Sequence, residues 1–172
     1  MTQTLGVSVA DTAALSDVVG KAAGIRLDIG CGRNKQGPTW VGIDFQGLPG
    51  VDIVHDLMQF PWPLESDSVL VAVASHVVEH IPPANLGFIH WMDEVWRVLK
   101  PGGEFAIVTP HGWSAGYLQD PTHVNPCNEN TWVYFVKEHP FYQFYSPKPW
   151  KIKMLTWDYT ANIEVVLIKD SL

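Results

Sequence analysis

Leu27-Asp28-Ile29-Gly30-Cys31-Gly32 closes a short apolar run that starts at Ile25 and stops in a Gly-x-Gly turn. A second apolar run ends in the carboxylate of Asp44, twelve positions after Gly32. Glycine lets the backbone turn sharply and approach a ligand closely. A carboxylate at the tip of the neighbouring strand can accept hydrogen bonds from ribose hydroxyls. The pair therefore predicts a nucleoside-containing ligand that lies across two adjacent parallel strands.

Strand and helix patterns alternate after this motif. Strand-like runs occupy residues 25–29, 40–44, 51–54, 68–75 and 104–109. The clearest helix lies between the last two, where apolar residues recur at helical spacing: Phe88, Ile89, Met92, Val95, Trp96 and Leu99. Pro82 and Pro83 suit its first turn, and residues 100–103 its end. Such a unit indicates a right-handed crossover in a parallel sheet and hence an α/β fold.

The chain is expected to be a single domain over residues 1–172. Residues 1–23 contain a leading helical segment, over about residues 9–22. Residues 110–150 are rich in histidine, proline and aromatic residues, with a short helix around 129–137. They form an insertion on the substrate side, because loops after a central strand build the site of an open α/β sheet. Residues 151–158 and 163–168 read as a terminal hairpin.

Composition narrows the class of protein. Apolar residues make up 47% and charged residues 17% of the chain, as in folded globular proteins. A net charge of −7 argues against a general nucleic-acid surface. No segment approaches the roughly 18 apolar residues of a membrane span, and the acidic start does not resemble a signal peptide. Two cysteines, Cys31 and Cys127, give no disulfide framework, so the expected location is the cytoplasm.

Five motifs in order carry a family resemblance. They are LDIGCG (27–32), VGID (41–44), VHDL (54–57), ASHVVEHI (74–81) and EVWRVLKPGGEFAIVTP (94–110). From about residue 24 to residue 110 the chain resembles the class I S-adenosylmethionine-dependent methyltransferases. The resemblance implies a Rossmann-like, doubly wound, seven-stranded sheet, mostly parallel with a C-terminal antiparallel hairpin. It also implies S-adenosylmethionine as cofactor and S-adenosylhomocysteine as product.

One departure from the family pattern concerns the link between the first two strands. A third glycine is absent after Gly32, and only eight residues, 33–40, precede Val41. The first crossover helix is therefore expected to be missing or very short. Residues 9–22 could cover the exposed face instead. An anion site at a helix N-terminus is not expected, which suits a cofactor without phosphate.

The resemblance implies cofactor contacts along the first four strands. Asp44 would accept from the ribose, Asp56 and Leu57 would border the adenine, and Asp28 would face the amino end. The full set of cofactor-binding residues is Asp28, Gly30, Cys31, Gly32, Asp44, Phe45, Asp56, Leu57, Ser75 and His76.

Catalytic candidates come from the region after the fifth strand. His111, His123 and Asp120 are expected near the transferred methyl group, where a neutral histidine can act as a base. Purely structural loop histidines remain an equal alternative. Aromatic residues of this region either line an acceptor pocket or cover the sheet: Trp113, Trp132, Tyr134, Phe135, Tyr142 and Tyr145.

The expected function is a methyltransferase acting on an oxygen or nitrogen of a small or medium-sized acceptor, with no membrane or nucleic-acid partner indicated. One alternative is a catalytically inactive binding module with the same fold. A nicotinamide oxidoreductase is disfavoured because the full G-x-G-x-x-G is lacking. A remote alternative is a zinc hydrolase using His76-x-x-Glu79-His80, which needs a long helix. No metal site is expected.

Overall fold

The computed structural model describes residues 24–171, which form one seven-stranded sheet. The strands are β1 (Ile25–Ile29), β2 (Val41–Asp44), β3 (Ile53–Val54), β4 (Val69–Ser75), β5 (Leu99–Pro110), β6 (Trp150–Trp157) and β7 (Asn162–Lys169). Their order is β3-β2-β1-β4-β5-β7-β6. Strands β1 to β5 pair in parallel, and β7 is antiparallel to both β5 and β6. The predicted Rossmann-like sheet with a C-terminal antiparallel hairpin is confirmed.

The described part of the chain holds few helices. α1 (Gly87–Val98) crosses from β4 to β5, and α2 (Ala115–Leu118) is a single turn after β5. Four short 3-10 helices complete the set: Val78–His80, Ala84–Leu86, Thr131–Phe135 and Pro140–Phe144. No helix joins β1 to β2, as the short link predicts. The predicted helix at 9–22 lies outside the described residues.

The ends of α1 differ from the sequence prediction. Pro82 and Pro83 precede the helix, because Asn85 and Leu86 have left-handed φ angles of 54° and 60° that interrupt it before Gly87. At the other end no separate terminating turn follows. Leu99 already pairs with Val69, and a register shift before Val71 absorbs the 100–103 segment into β5. Helix and strand therefore join without a loop.

Aromatic side chains fill the core between α1 and the sheet. Trp91 is fully buried and contacts the rings of Trp62, Phe88 and Phe105. Trp150 on β6 extends the cluster, with its ring centroid 6.0 Å from that of Phe105. Burial of each large apolar side chain contributes about 1.5–3 kcal/mol. The crossover helix α1 is therefore anchored to the centre of the sheet.

A buried ion pair joins α1 to the chain segment that precedes β4. The Arg97 guanidinium donates to both oxygens of Glu94, over 2.8 and 2.6 Å, and to the Leu64 carbonyl over 2.9 Å. Glu94 also accepts from the Trp62 amide over 2.6 Å and is buried. This cluster fixes residues 62–66, which no helix or strand contains.

One edge strand of the sheet is short, and the other carries charged side chains. β3 has only two residues, and β6 carries Lys151 and Lys153, which pair with Asp170 and Glu104. Within residues 24–171, none of the helices has the length and apolar character needed to span a bilayer.

Candidate functional site

The Gly-x-Gly turn sits at the carboxyl end of β1, between β2 and β4. The amides of Gly30 and Cys31 donate to the Ile43 carbonyl, over 2.8 and 3.4 Å, which holds the turn against β2. Gly30 has a φ of 65°, and a Cβ there would lie 2.5 Å from Val77 Cγ2. Gly32 has a φ of 51°, with no heavy atom within 4 Å of where its Cβ would be. The turn thus leaves open space directly over its second glycine.

Asp44 borders this open space from the end of β2. One of its carboxylate oxygens accepts from the Gly32 amide over 2.9 Å, and the other accepts from the Gln46 amide over 2.9 Å. Each oxygen keeps further acceptor capacity, since a carboxylate offers about four acceptor positions. The acid predicted from spacing alone therefore lies beside the glycine turn.

Asp28 places a second carboxylate at the same edge. It is buried, and its Oδ2 accepts from the Gln36 amide over 2.8 Å, which pins the short link between β1 and β2. Burial raises the pKa of Asp28 to about 6, and the charge of Asp44 adds to the effect. The cleft therefore concentrates negative charge that a cationic ligand would stabilise.

Replacing Asp28 by asparagine is expected to stabilise the protein at neutral pH. The folded-state pKa of Asp28 lies above the unfolded value of 3.8, so its contribution to stability is present below about pH 4 and is lost as the pH rises through 6. Asp28→Asn removes this loss and keeps an acceptor for Gln36. We expect a gain of about 1 kcal/mol at pH 7.5 that shrinks at pH 5, measured by urea unfolding.

The exposed Asp158→Asn variant serves as the control, since its carboxylate lies in the β6–β7 turn, where it accepts from the Thr160 amide over 2.8 Å. Asp28→Asn could instead lower the stability by the same amount at both pH values. That result would contradict the conclusion that burial disfavours the ionised form of Asp28.

Residues assigned to the adenine side follow β3. The His55 amide donates to the Asp44 carbonyl over 2.8 Å, which brings residues 55–57 next to Asp44. Asp56 is exposed and accepts from the Met58 amide over 2.9 Å, whereas Leu57 is buried. Phe45 is 67% exposed directly after Asp44. An apolar ring and an acid are thus available at this side of the cleft.

Cys31 lies buried within the glycine turn. Burial, together with the charges of Asp28 and Asp44, raises the pKa of its thiol to about 11. The thiol is therefore protonated at neutral pH. A Cβ on Gly42 would lie 2.5 Å from its sulfur, so Cys31 packs against bare β2 backbone.

His76 marks the end of β4. Its φ is 57°, its amide donates to the Val108 carbonyl over 2.8 Å, and its side chain is 54% exposed. Its Nδ1 lies 3.2 Å from Oε1 of Glu79, and this contact raises the pKa of His76. Ser75 is half-buried beside it. Both residues lie at the end of β4, which pairs with β1, and their contact with a cofactor stays a prediction.

His111 is fully buried after β5. Its Nδ1 accepts from the Trp113 amide over 3.2 Å, and its Nε2 lies 3.2 Å from Oε2 of Glu129. The amide contact requires an unprotonated Nδ1, so the hydrogen sits on Nε2 and points to Glu129. With both ring nitrogens engaged, His111 holds the loop in place. It has no free lone pair with which to take a proton from a methyl acceptor.

His123 and Asp120 come together in the loop after α2. Nδ1 of His123 lies 2.8 Å from the Tyr117 carbonyl, and its Nε2 lies 3.8 Å from Oδ2 of Asp120. Asp120 also accepts from the amide and hydroxyl of Thr122, and these bonds lower its pKa. The loop is attached to the turn after β4, because the amides of Val124 and Asn125 both donate to the Glu79 carbonyl.

Known proteins resemble this chain in structure and not in sequence. No family model matches the sequence, and a search of curated proteins finds no match. Solved structures do match. An S-adenosylmethionine-dependent methyltransferase from Methanosarcina mazei is 16% identical, with a TM-score of 0.63 over 92% of this chain and 98% of that chain. Another from Archaeoglobus fulgidus is 17% identical, with a TM-score of 0.61 over 93% of both chains. The chain has the class I methyltransferase fold.

A third match shows the same fold with ligands bound. The geranyl diphosphate C-methyltransferase from Streptomyces coelicolor A3(2), in complex with Mg²⁺, geranyl-S-thiolodiphosphate and S-adenosyl-L-homocysteine, is 11% identical. Its TM-score is 0.57, over 93% of this chain and 75% of that chain. At such identities the likeness establishes the methyltransferase fold, and the chemistry has to be argued from the residues of this chain.

Within this methyltransferase fold, the aromatic residues of the insertion divide into two groups. Trp132 and Phe135 belong to the core, where both rings contact Phe88 edge-on. They do not line a pocket, because the 3-10 helix that carries them packs onto the sheet. Trp113 is 78% exposed, and Tyr134 and Tyr142 are half-buried.

The zinc-hydrolase motif does not adopt its required form in this methyltransferase fold. The segment directly after β4 forms a three-residue 3-10 helix, Val78–His80, and the left-handed φ of His76 places that residue outside it. The two histidines therefore lack the i,i+4 helical spacing that the hydrolase motif needs.

Sequence reasoning missed three residues that build this region. Glu129 partners His111, Asn125 donates to the Val78 carbonyl over 2.9 Å, and Thr109 donates to Glu79 over 3.0 Å. Each contact spans 18 residues or more and involves a loop without periodic pattern. An acidic residue within an apolar stretch, Glu79, is the local sequence signal that could have pointed to Thr109.

Proposed function

We propose that this protein is an S-adenosylmethionine-dependent methyltransferase that acts on an oxygen or nitrogen of a small or medium-sized acceptor. One observation carries the proposal. The Asp44 carboxylate is bonded to the Gly32 amide at the rim of an open space, with the buried Asp28 carboxylate at the same edge of the sheet. This arrangement suits a nucleoside with a cationic tail.

The cleft residues fit that cofactor by charge and shape. S-adenosylmethionine, when bound, supplies a methyl group on a positively charged sulfur. Asp44 would accept hydrogen bonds from the ribose hydroxyls, and Asp28 would offset the charge of the amino end. The bare Cα of Gly32 leaves room for close approach. Phe45, Asp56 and Leu57 would border the base, while Gly30, Cys31, Ser75 and His76 would form the floor of the cleft.

The acceptor side of the proposal rests on His123 and Asp120. Because Nδ1 of His123 faces a carbonyl, Nε2 keeps its lone pair, and Asp120 can stabilise positive charge there. Exposed apolar side chains of the same loop region, Trp113, Leu118 and Val124, could contact the acceptor. The proposal omits His111 from catalysis, because both of its ring nitrogens are engaged in the buried loop.

Calorimetry tests the proposal directly. Titration of S-adenosylhomocysteine and of S-adenosylmethionine into the purified protein is expected to show one site of micromolar affinity, and the same titration with NAD⁺ no heat. Absence of heat with both S-adenosyl compounds, on folded protein, would contradict the proposal. Incorporation of a labelled methyl group into a panel of small hydroxyl and amine compounds then distinguishes a transferase from an inactive binding module.

A further inference from the structure

Three side chains with metal-binding atoms meet beside the cleft. One carboxylate oxygen of Glu79 and one imidazole nitrogen each of His80 and His123 lie within 4.8 Å of one another. Backbone hydrogen bonds bring His123 close to Glu79 and His80, because the Glu79 carbonyl accepts from two successive amides of the loop that carries His123. Small side-chain rotations would bring the three atoms to the distance of about 2.0–2.2 Å at which nitrogen and oxygen ligands hold one ion.

Hydrogen bonds leave the same nitrogen free on both imidazoles. His123 Nδ1 faces the Tyr117 carbonyl at 2.8 Å, and a carbonyl can only accept, so this nitrogen carries the hydrogen. His80 Nδ1 lies 3.2 Å from the Thr122 hydroxyl, whose own hydrogen goes to Asp120 over 2.7 Å. The hydroxyl therefore accepts from His80. Both Nε2 atoms keep a lone pair, which is the arrangement that outer hydrogen bonds impose on metal-ligating histidines.

The carboxylate of Glu79 supplies a second, independent observation in favour of a bound cation. The residue is fully buried. Its Oε2 accepts from the Thr109 hydroxyl over 3.0 Å, but its Oε1 accepts no hydrogen bond, although His76 Nδ1 lies 3.2 Å away as an ion-pair contact. A buried carboxylate oxygen without a donor is costly unless a charge partner is present. His76 Nδ1 is one such partner at 3.2 Å, and a cation among the three side chains would be a second.

We propose that Glu79, His80 and His123 bind a divalent transition-metal ion such as Zn²⁺ or Mn²⁺. Two imidazoles and one carboxylate form a ligand set that suits such ions better than Mg²⁺ or Ca²⁺, which prefer oxygen ligands alone. Three protein ligands leave a coordination position open. The site adjoins the cofactor cleft, since Glu79 also contacts His76 at the end of β4.

The role of this ion rests on the proposed methyltransferase function. An acceptor hydroxyl whose oxygen occupies the open position would lose its proton to water more readily, because a bound divalent ion lowers the pKa of a ligating hydroxyl. The metal would then activate the acceptor, and His123 would act as a ligand instead of a base. The proposed acceptor class narrows accordingly to compounds with a hydroxyl or a similar oxygen group.

Metal titration of the full chain tests the site without reference to activity. Protein stripped with EDTA and dialysed is titrated with Zn²⁺ alone and with Mn²⁺ alone by calorimetry. We expect one site for Zn²⁺ of micromolar affinity or tighter. His80→Ala and His123→Ala should each weaken it by about tenfold or more. Thr122→Val, which removes the hydroxyl that accepts from His80 and donates to Asp120, should weaken it by about tenfold. The exposed His90→Ala variant on α1 is the matched control and should bind Zn²⁺ as the wild type does.

The variants remain informative if one of them folds poorly. Glu79→Gln keeps the shape of the side chain and is checked by circular dichroism, while His80 is exposed and tolerates truncation. Absence of Zn²⁺ and Mn²⁺ binding by the wild type, or unchanged Zn²⁺ affinity in both histidine variants, would overturn the site. S-adenosylhomocysteine binding by the metal-free wild type is measured separately. If the protein binds S-adenosylhomocysteine but no metal, only the ion site is refuted. If it binds Zn²⁺ but no S-adenosyl compound, only the proposed function is refuted.

Discussion

Asp44→Ala is expected to weaken S-adenosylhomocysteine binding by about 100-fold. Hydrogen bonds to a charged group contribute about 1.5–3 kcal/mol each, and the two ribose hydroxyls would both donate to this carboxylate. A loss of about 3 kcal/mol corresponds to roughly two orders of magnitude in the dissociation constant. Calorimetric titration of wild type and variant under the same conditions measures the difference.

Loss of loop anchoring must be separated from loss of ribose contacts, because Asp44 also accepts from the Gly32 and Gln46 amides. Asp52→Ala provides the matched control. Asp52 similarly accepts from the Gly42 amide and from Lys35, each over 2.7 Å, but it lies on the β3 side of β2. The control should bind the ligand within a few-fold of the wild type. An Asp44→Ala affinity within twofold of the wild type would remove Asp44 from the site.

Arg97→Met is expected to lower the free energy of unfolding by about 3 kcal/mol. The guanidinium supplies two hydrogen bonds to the buried Glu94 carboxylate, and its removal leaves that charge without its counter-ion. Breaking one side of a buried ion pair typically costs about 3–5 kcal/mol, and partial exposure of Arg97 places the effect at the lower end. Urea unfolding followed by circular dichroism gives the value.

The exposed pair between Lys153 and Glu104 is the matched control. Lys153→Met should cost less than about 1 kcal/mol, as exposed ion pairs do. Arg97→Met combined with Glu94→Gln should recover part of the loss, because the amide does not carry the uncompensated charge. If Arg97→Met costs no more than Lys153→Met, the buried pair does not hold the segment before β4.

The sheet could be predicted from local sequence because most strands are rich in apolar residues and end in a recognisable turn. Ile25–Ile29, followed by two glycines, and the hairpin of β6 and β7 are examples. The start of β5 could not be predicted, since Leu99 pairs with Val69 through a register shift that no local pattern records. Helix periodicity also did not reveal the left-handed residues that delay α1.

The position of a side chain at the edge of the sheet could be predicted where the residue ends its strand, as Asp44 does, or directly follows it, as His76 does. Residues of the long loop after β5 were harder, because their environment depends on contacts distant in sequence. His111 follows β5 as a catalytic base would, yet Glu129 and the Trp113 amide occupy its ring nitrogens. His123 meets Glu79 only because the loop docks on the turn after β4. Such pairings depend on tertiary structure.

The two edge strands have a consequence for self-association. An open sheet exposes unpaired amides and carbonyls at both edges, and another chain can add to them as an extra strand. Here one edge, β3, is too short to template such an addition. The other, β6, presents Lys151 and Lys153, which are paired with Asp170 and Glu104. A second copy of the strand would have to bury or break these two ion pairs in order to add to the sheet. The two margins of the sheet therefore resist amyloid-like stacking by different means, brevity at one and the desolvation of charged side chains at the other.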